Sequence, residues 1–392
     1  MIFPQDPLAA VTHPDPYAYY ANLVTHQPLY YDKALGAWVA ASAQAVTAVL
    51  TNQLCRVRPP TEPVPRALLG SPAAAIFQHL VRMNDGAGHC PFKQAVAAAL
   101  ASLDAVQAAE QSRKWAQLLS SEIENFAFHL PVYVMGSLVG VPQNMLHQTA
   151  LWMSDFVRCL APASNPDWPD QIERGKVAAG HLMEMFRALL ADQGCDGLLQ
   201  ALARTAKQLG REDPNVIVAN GIGFLFQPYE ATAGLIGNTL LALAARPELR
   251  EQVIADSGLL REVMAEVLRY DSPVQNTRRF LAEDGIVAGL EMKAGDMILV
   301  VLAAANRDPL ANPDPDRFDI FRKDRKTFTF GAGLHACPGE SLAITIAKAG
   351  VEQLLASGVA LEPFVAPVTY RASANVRIPL LALPATPAMK EH

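Results

Sequence analysis

The chain has 392 residues, 51% apolar and 18% charged, with a net charge of −6, a balance that predicts a large buried core and excludes disorder. No basic stripe runs beside interleaved aromatics, so nucleic acid is excluded as a partner. No stretch reaches the ~18 uninterrupted apolar residues of a membrane span; the nearest, 216–243, is broken by Asn220, Gln227, Pro228, Glu230 and Asn238.

The opening "MIFPQDPLAAVTHPDPYAYY" lacks the basic and apolar regions of a signal peptide. Cys55, Cys90, Cys159, Cys195 and Cys337 are scattered, with no CxxC, which fits a reduced, cytoplasmic setting. In chain order, a strand-like run at 28–42 comes first. Helical patterns follow at 72–83, 94–125, 142–159, 170–193, 195–209, 215–245 and 249–270. Strand-like runs return at 285–304, a helix at 338–357 and a last strand at 376–384. Proline-rich stretches at 59–65 and 162–169 read as surface loops. The expected fold is mainly α with small β-sheets, in a single domain over 1–392.

The 215–245 helix has Asp213 as a candidate N-cap with Pro214 behind it, and Arg246-Pro247 stops it. At 1.5 Å per residue it spans roughly 46 Å, and its apolar character puts it through the core. Pro228 near its centre costs about 3 kcal/mol in an ordinary helix. Glu230 adds a desolvation cost unless it is paired.

The stretch "FTFGAGLHACPGESLAI" sets Gly331, Gly333 and Gly339 around Cys337, just before a helix. Glycine allows positive φ and close backbone approach. Pro338 suits the first helical position and Glu340 the first turn, and a helix start favours a thiolate. From these residues alone, Cys337 is a thiolate ligand, a buried structural cysteine, or a nucleophile near His335. A zinc site lacks a second ligand pair.

"FGAGLHACPG" closely resembles the haem-binding signature of the cytochrome P450 superfamily, including Phe330, His335, the axial Cys337 and Gly339. Glu266 to Arg269 ("EVLR") resembles that family's Glu-x-x-Arg pair, and "PDRF" puts Arg317 at its third charge partner. "HCPFK" resembles the His-x-x-x-Arg that meets the haem propionates, with His89 kept and Lys93 in place of arginine. "SPVQNTRRF" puts Arg279 at a further propionate contact. These matches fall in family order.

The resemblance implies the family's fold, with haem b between the long distal helix and the cysteine loop. It implies a haem-thiolate monooxygenase that oxidises, chiefly by hydroxylation, a small and largely apolar organic molecule with O2. Electrons would come from a ferredoxin-type partner with its reductase, docking on "FRKDRKTF" (321–328). Cys337 would ligate iron, and His89, Lys93, Arg279 and His335 would meet the propionates. Glu266, Arg269 and Arg317 would form a buried structural network. In the family's distal pattern, Gln227, Pro228, Tyr229, Glu230 and Ala231 take the places of small residue, glycine, any residue, acid and threonine. The helix should kink at Pro228, with Glu230 and Thr232 in proton delivery. Residues 57–88, 155–180, 274–276 and 373–377 would line the substrate pocket. The other readings are a peroxide-using or non-monooxygenase haem-thiolate enzyme, and a haem-binding protein without turnover.

Overall fold

The computed structural model describes residues 3–380, except 60, 63, 87–88, 122–124, 161–167, 193, 360 and 362–367. The fold is mainly α with small sheets, as expected. Before the long helix come α1 (Tyr17–His26), α2 (Ala43–Thr51), α3 (Pro72–His79), α4 (Cys90–Ala101), α5 (Ala105–Leu119), α6 (Phe126–Val139), α7 (Leu146–Cys159), α8 (Trp168–Ala191) and α9 (Leu198–Gln208). The long helix is α10 (Pro214–Ala244). After it come α11 (Pro247–Ala255), α12 (Leu260–Tyr270), α13 (Leu302–Asn306) and α14 (Glu340–Ala356).

One sheet has five strands: β1 (Leu29–Asp32), β2 (Ala37–Ala40), β3 (Cys55–Arg56), β4 (Thr277–Leu281) and β7 (Met297–Val300), in the order β1-β2-β7-β4-β3. Only β2 and β7 pair in parallel, with Val39 opposite Leu299. A separate hairpin joins β5 (Gly285–Val287) to β6 (Leu290–Met292). Its turn residues Ala288 and Gly289 have φ of 47° and 85°, the paired positive values of a type I′ turn. The 376–384 run makes isolated bridges, Val274 with Val376 and Tyr370 with Pro379. Its residues 381–384 lie outside the described set.

The 94–125 run is two helices, because Asp104 accepts from the Val106 N–H at 2.8 Å and starts α5 anew. Asp256 divides the 249–270 run likewise, its Oδ1 accepting from Gly258 N–H at 2.9 Å. The expectation omitted α6, which is buried along nearly its whole length and carries Pro131 inside it.

Helix α10 runs unbroken from its Asp213 cap, whose side chain accepts from Asn215 N–H at 2.9 Å. Its path is set by close packing. A Cβ at Gly237 would sit 2.6 Å from Pro379, and one at Gly350 of α14 would sit 3.2 Å from Ile236 of α10. The helix continues through Pro228, and Gln227 Nε2 donates to the Gly223 carbonyl at 3.1 Å.

Candidate active site

Backbone geometry shapes the cysteine loop. Gly331 and Gly333 have φ of +72° and +66°, and a Cβ on Gly333 would lie 2.9 Å from the Leu50 carbonyl oxygen. Phe328 N–H donates to Asn306 Oδ1 at 2.6 Å, and Cys337 N–H to the Phe330 carbonyl at 2.9 Å. Gly339 is the N-cap of α14, so Pro338 precedes the helix instead of opening it. Burial pushes the Cys337 thiol up, although the Gly339 N–H, Lys93 and Arg82 pull it down. A coordinated cation reverses that balance, since a ligating thiol is deprotonated.

Cys337 lines a cavity of about 680 Å³ that also reaches Phe330 and Gly339. Helix α10 contributes Gly223, Phe224, Gln227, Pro228, Ala231, Thr232 and Leu235 to it. Their spacing is one helical stripe. Thr232 is 1% exposed, and its hydroxyl has no partner among the described residues.

Cationic and imidazole groups gather in the same cavity: His89, Lys93, Arg279 and His335. His89 heads α4 and is buried, its ring centroid 4.2 Å from that of His335. Burial, with His335 and Lys93 beside it, pushes His89 down to about 4. His335 Nε2 is 3.0 Å from Asp85 Oδ1. Lys93 Nζ donates to the Ala336 carbonyl. Arg279 Nη1 donates to the Arg278 carbonyl at 2.8 Å. His89 Nε2 and Arg279 Nε are buried without a hydrogen-bond partner among the described residues. The buried Arg279 N–H requires an acceptor, and so does His89 Nε2 in the tautomer that carries its proton there; the carboxylates of a bound group would supply them.

The Glu266 network is fully buried and differs from expectation in one member. Glu266 and Arg269 are both 0% exposed, with Arg269 Nη2 2.7 Å from Glu266 Oε1. The third partner is not Arg317, whose side chain is 71% exposed and, among the described residues, reaches Asp319 at 3.6 Å. Arg317 contributes its carbonyl instead, accepting from Arg269 Nη2 at 3.1 Å. Arg325 Nε lies 3.0 Å from Glu266 Oε2, and Arg322 Nε 3.5 Å from Oε1. A buried carboxylate draws in whichever guanidinium groups the loop can deliver. Arg322 and Arg325 are thereby withdrawn from the expected docking segment, which exposes Lys323 and Lys326.

Glu230 does not line this cavity. Its Oε1 is 3.8 Å from Arg371 Nη2, and burial raises its carboxyl above the usual range while Arg371 opposes the rise. Arg371 and Tyr229 border a second cavity of about 760 Å³ between α6, α7, α8 and α10. The described part of 155–180 faces that cavity, through Asp155, Arg158, Glu173, Arg174, Val177 and Ala178, and not the one at Cys337. Of the other expected lining, Val57 to Pro59, Glu62, Pro65, Phe77, Val81 to Met83, Val274, Asn276 and Asn375 do face Cys337's cavity, while Gln275 is spent on Tyr20 and Ser272. Residues 60, 63, 87–88 and 161–167 of these stretches lie outside the described set.

Sequence reasoning missed Asn306 and Arg82. Asn306 joins Phe328 of the cysteine loop to the Leu268 carbonyl of α12, at 2.6 and 3.2 Å, and a lone asparagine in "AAANRD" carries no signal of it. Arg82 was passed over as one residue of a loop.

The chain is 34% identical over 259 residues to Vitamin D(3) 25-hydroxylase of Pseudonocardia autotrophica, covering 65% of this chain and 62% of that protein. It is 35% identical to cytochrome P450 monooxygenase PikC of Streptomyces venezuelae, covering 59% of this chain and 55% of that one. The chain thus spans less than two-thirds of the length of these curated relatives. The crystal structure of CalO2 superposes with a TM-score of 0.82 at 25% identity, covering 95% of this chain and 96% of that one. The model of the family described as Cytochrome P450 matches residues 138–357, more than half of the chain. With the glycine-framed Cys337 facing a long helix across a cavity edged by His89 and Arg279, this chain belongs to the cytochrome P450 family.

Proposed function

We propose that this chain is a haem-thiolate monooxygenase that hydroxylates a largely apolar small organic molecule. It would use O2 and electrons from a ferredoxin-type partner with its reductase. The observation that carries this reading is the cavity that joins Cys337 to His89 Nε2 and Arg279 Nε, both without a partner among the described residues. These residues fit haem b: Cys337 would ligate iron, and His89, Lys93, Arg279 and His335 would hold the propionates. When bound, thiolate-ligated haem iron activates oxygen by favouring O–O cleavage. Lys323 and Lys326 remain on the surface for an acidic partner. Free cysteines and the lack, among the described residues, of a helix long and apolar enough to cross a membrane support a cytoplasmic setting for a single domain over 1–392.

The protein's own catalytic work falls to Thr232 and Glu230. Thr232 Oγ1 stands in the cavity with no partner among the described residues. It can hold a water or a substrate hydroxyl and pass its proton toward the reacting oxygen. Glu230 lies on another face of α10 with Arg371, so it would resupply that proton through water. Thr232→Ala should lower product formed per NAD(P)H consumed by roughly ten- to a hundred-fold, and Glu230→Gln should slow turnover in the same direction. Unchanged coupling in both variants would refute the relay. The second reading, a peroxide-using enzyme, is favoured by one observation: Ala231 occupies the threonine position of the distal pattern. Peroxide-driven turnover exceeding that with reductant and O2, and indifferent to both substitutions, would decide for it.

A further inference from the structure

The segment leading into β4 sends its side chains alternately to two sides. Val274 and Asn276 line the cavity at Cys337. Gln275, between them, faces the other way. Its Oε1 accepts from the Tyr20 hydroxyl at 2.7 Å, and its Nε2 donates to the Ser272 carbonyl at 2.6 Å. The backbone is pinned from both sides here. Gln275 N–H donates to the Asn375 carbonyl at 2.8 Å, and Ala303 N–H donates to the Gln275 carbonyl at 3.1 Å. Asn276 is therefore held in place, and it is 1% exposed.

The Asn276 amide is only half used. Nδ2 donates to the Ala374 carbonyl at 2.8 Å, which fixes the nitrogen end on that turn. Oδ1 has no hydrogen-bond partner among the described residues. An amide oxygen buried without a donor costs free energy, so this one calls for a donor brought from outside. Haem would not bring it, because its propionates accept hydrogen bonds and the rest of its edge is hydrocarbon. Arg278 and Arg279 line the same cavity, and their charges disfavour a cationic donor beside them. The donor that fits is neutral, an O–H or an N–H. Most of the distal lining, with Met135, Phe224, Ala231 and Leu235, is apolar.

Resting on the monooxygenase reading, we propose that Asn276 Oδ1 accepts a hydrogen bond from the substrate. The substrate is then a largely apolar molecule that carries a neutral hydroxyl or amide N–H. Asn276 is thus a specificity-determining residue, because a site built to bond that group rejects the analogue in which it is capped. Holding one end of the substrate also fixes which carbon faces iron.

The test uses the haem-loaded protein and titrates its shift to high spin with matched pairs. These are decanol and its methyl ether, adamantanol and its methyl ether, and N-methyldecanamide and N,N-dimethyldecanamide. Both members of a pair carry an acceptor oxygen, so Arg278 and Arg279 do not create a difference between them. In at least one pair the donor-bearing member is expected to bind on the order of tenfold more tightly, and the pair that shows it tells hydroxyl from amide. Asn276→Leu should bring that member down to the affinity of its capped partner. The capped partner's own affinity, the haem content and the carbon monoxide spectrum should stay unchanged. No donor preference in any pair would overturn the proposal without any variant, leaving Oδ1 to an ordered water. So would a preference that survives Asn276→Leu. Equal weakening of both members would also overturn it, by showing that Asn276 serves only to hold the turn at Ala374. Failure of the monooxygenase reading would look different, as absence of a thiolate-type carbon monoxide band in the unaltered protein.

Discussion

Replacing Glu266 with glutamine is expected to destabilise the protein by about 3–5 kcal/mol and to leave little folded, haem-loaded material. Glu266 is 0% exposed, and Arg269, Arg322 and Arg325 all converge on its two oxygens. Its Oε1 also accepts from Asp319 N–H at 3.0 Å. Glutamine keeps the shape but removes the charge, leaving three guanidinium groups packed together in the proximal core. The loop 313–326 that they hold leads directly into the cysteine loop, so haem retention should fall together with stability. Urea unfolding of the variant beside the unaltered protein reads the effect. A well-folded, haem-replete but inactive Glu266→Gln would refute the structural role. Arg317→Ala should be nearly silent, within about 0.5 kcal/mol, as for other exposed surface positions.

Arg377→Met is expected to cost a similar amount, about 3–5 kcal/mol, for a different reason. Arg377 is 1% exposed and binds together segments far apart in sequence. Its Nε donates to Asp271 Oδ1 at 3.0 Å, Nη1 to the Val11 and His13 carbonyls at 2.9 and 2.7 Å, and Nη2 to the Pro14 carbonyl at 3.1 Å. Burial works against the guanidinium, but Asp271 and Tyr17 outweigh it and hold the charge more firmly than usual. Methionine fills the volume while taking the donor from the buried Val11 carbonyl, from the part-buried His13 and Pro14 carbonyl contacts and from Asp271, which keeps the Tyr17 hydroxyl, and polar groups left unpaired away from water cost free energy. Limited proteolysis should cut near residues 11–14 first. Stability within about 1 kcal/mol of the unaltered protein and an uncut N-terminal segment would show that this cluster does not hold the fold.

The contrast between those two sites explains what could be read from the sequence. Glu266 and Arg269 are three residues apart on one helix, and Cys337 lies inside ten consecutive residues. Such groups are legible because local spacing fixes their geometry. Arg377 meets residues 11–14, and Arg325 meets Glu266 across a long loop. Nothing local marks those partners, so Arg317 stood in for Arg322 and Arg325. Helix α6 escaped because Pro131 and His129 interrupt an otherwise featureless apolar run, whereas tertiary burial holds it helical. Strand β4 was met only as a source of Arg279, since its short "TRRFL" run lacks clean alternation. At the site, side-chain identity was legible and direction was not. Both Glu230 and Thr232 lie on α10, but only Thr232 enters the cavity at Cys337.

Iron ligation by the Cys337 thiolate is tested most directly by the Soret band of the reduced protein under carbon monoxide. The unaltered protein should show the red-shifted band of a thiolate ligand, and Cys337→Ser should lose it. An unshifted band in the unaltered protein, or a red-shifted band that persists in Cys337→Ser, would contradict the assignment.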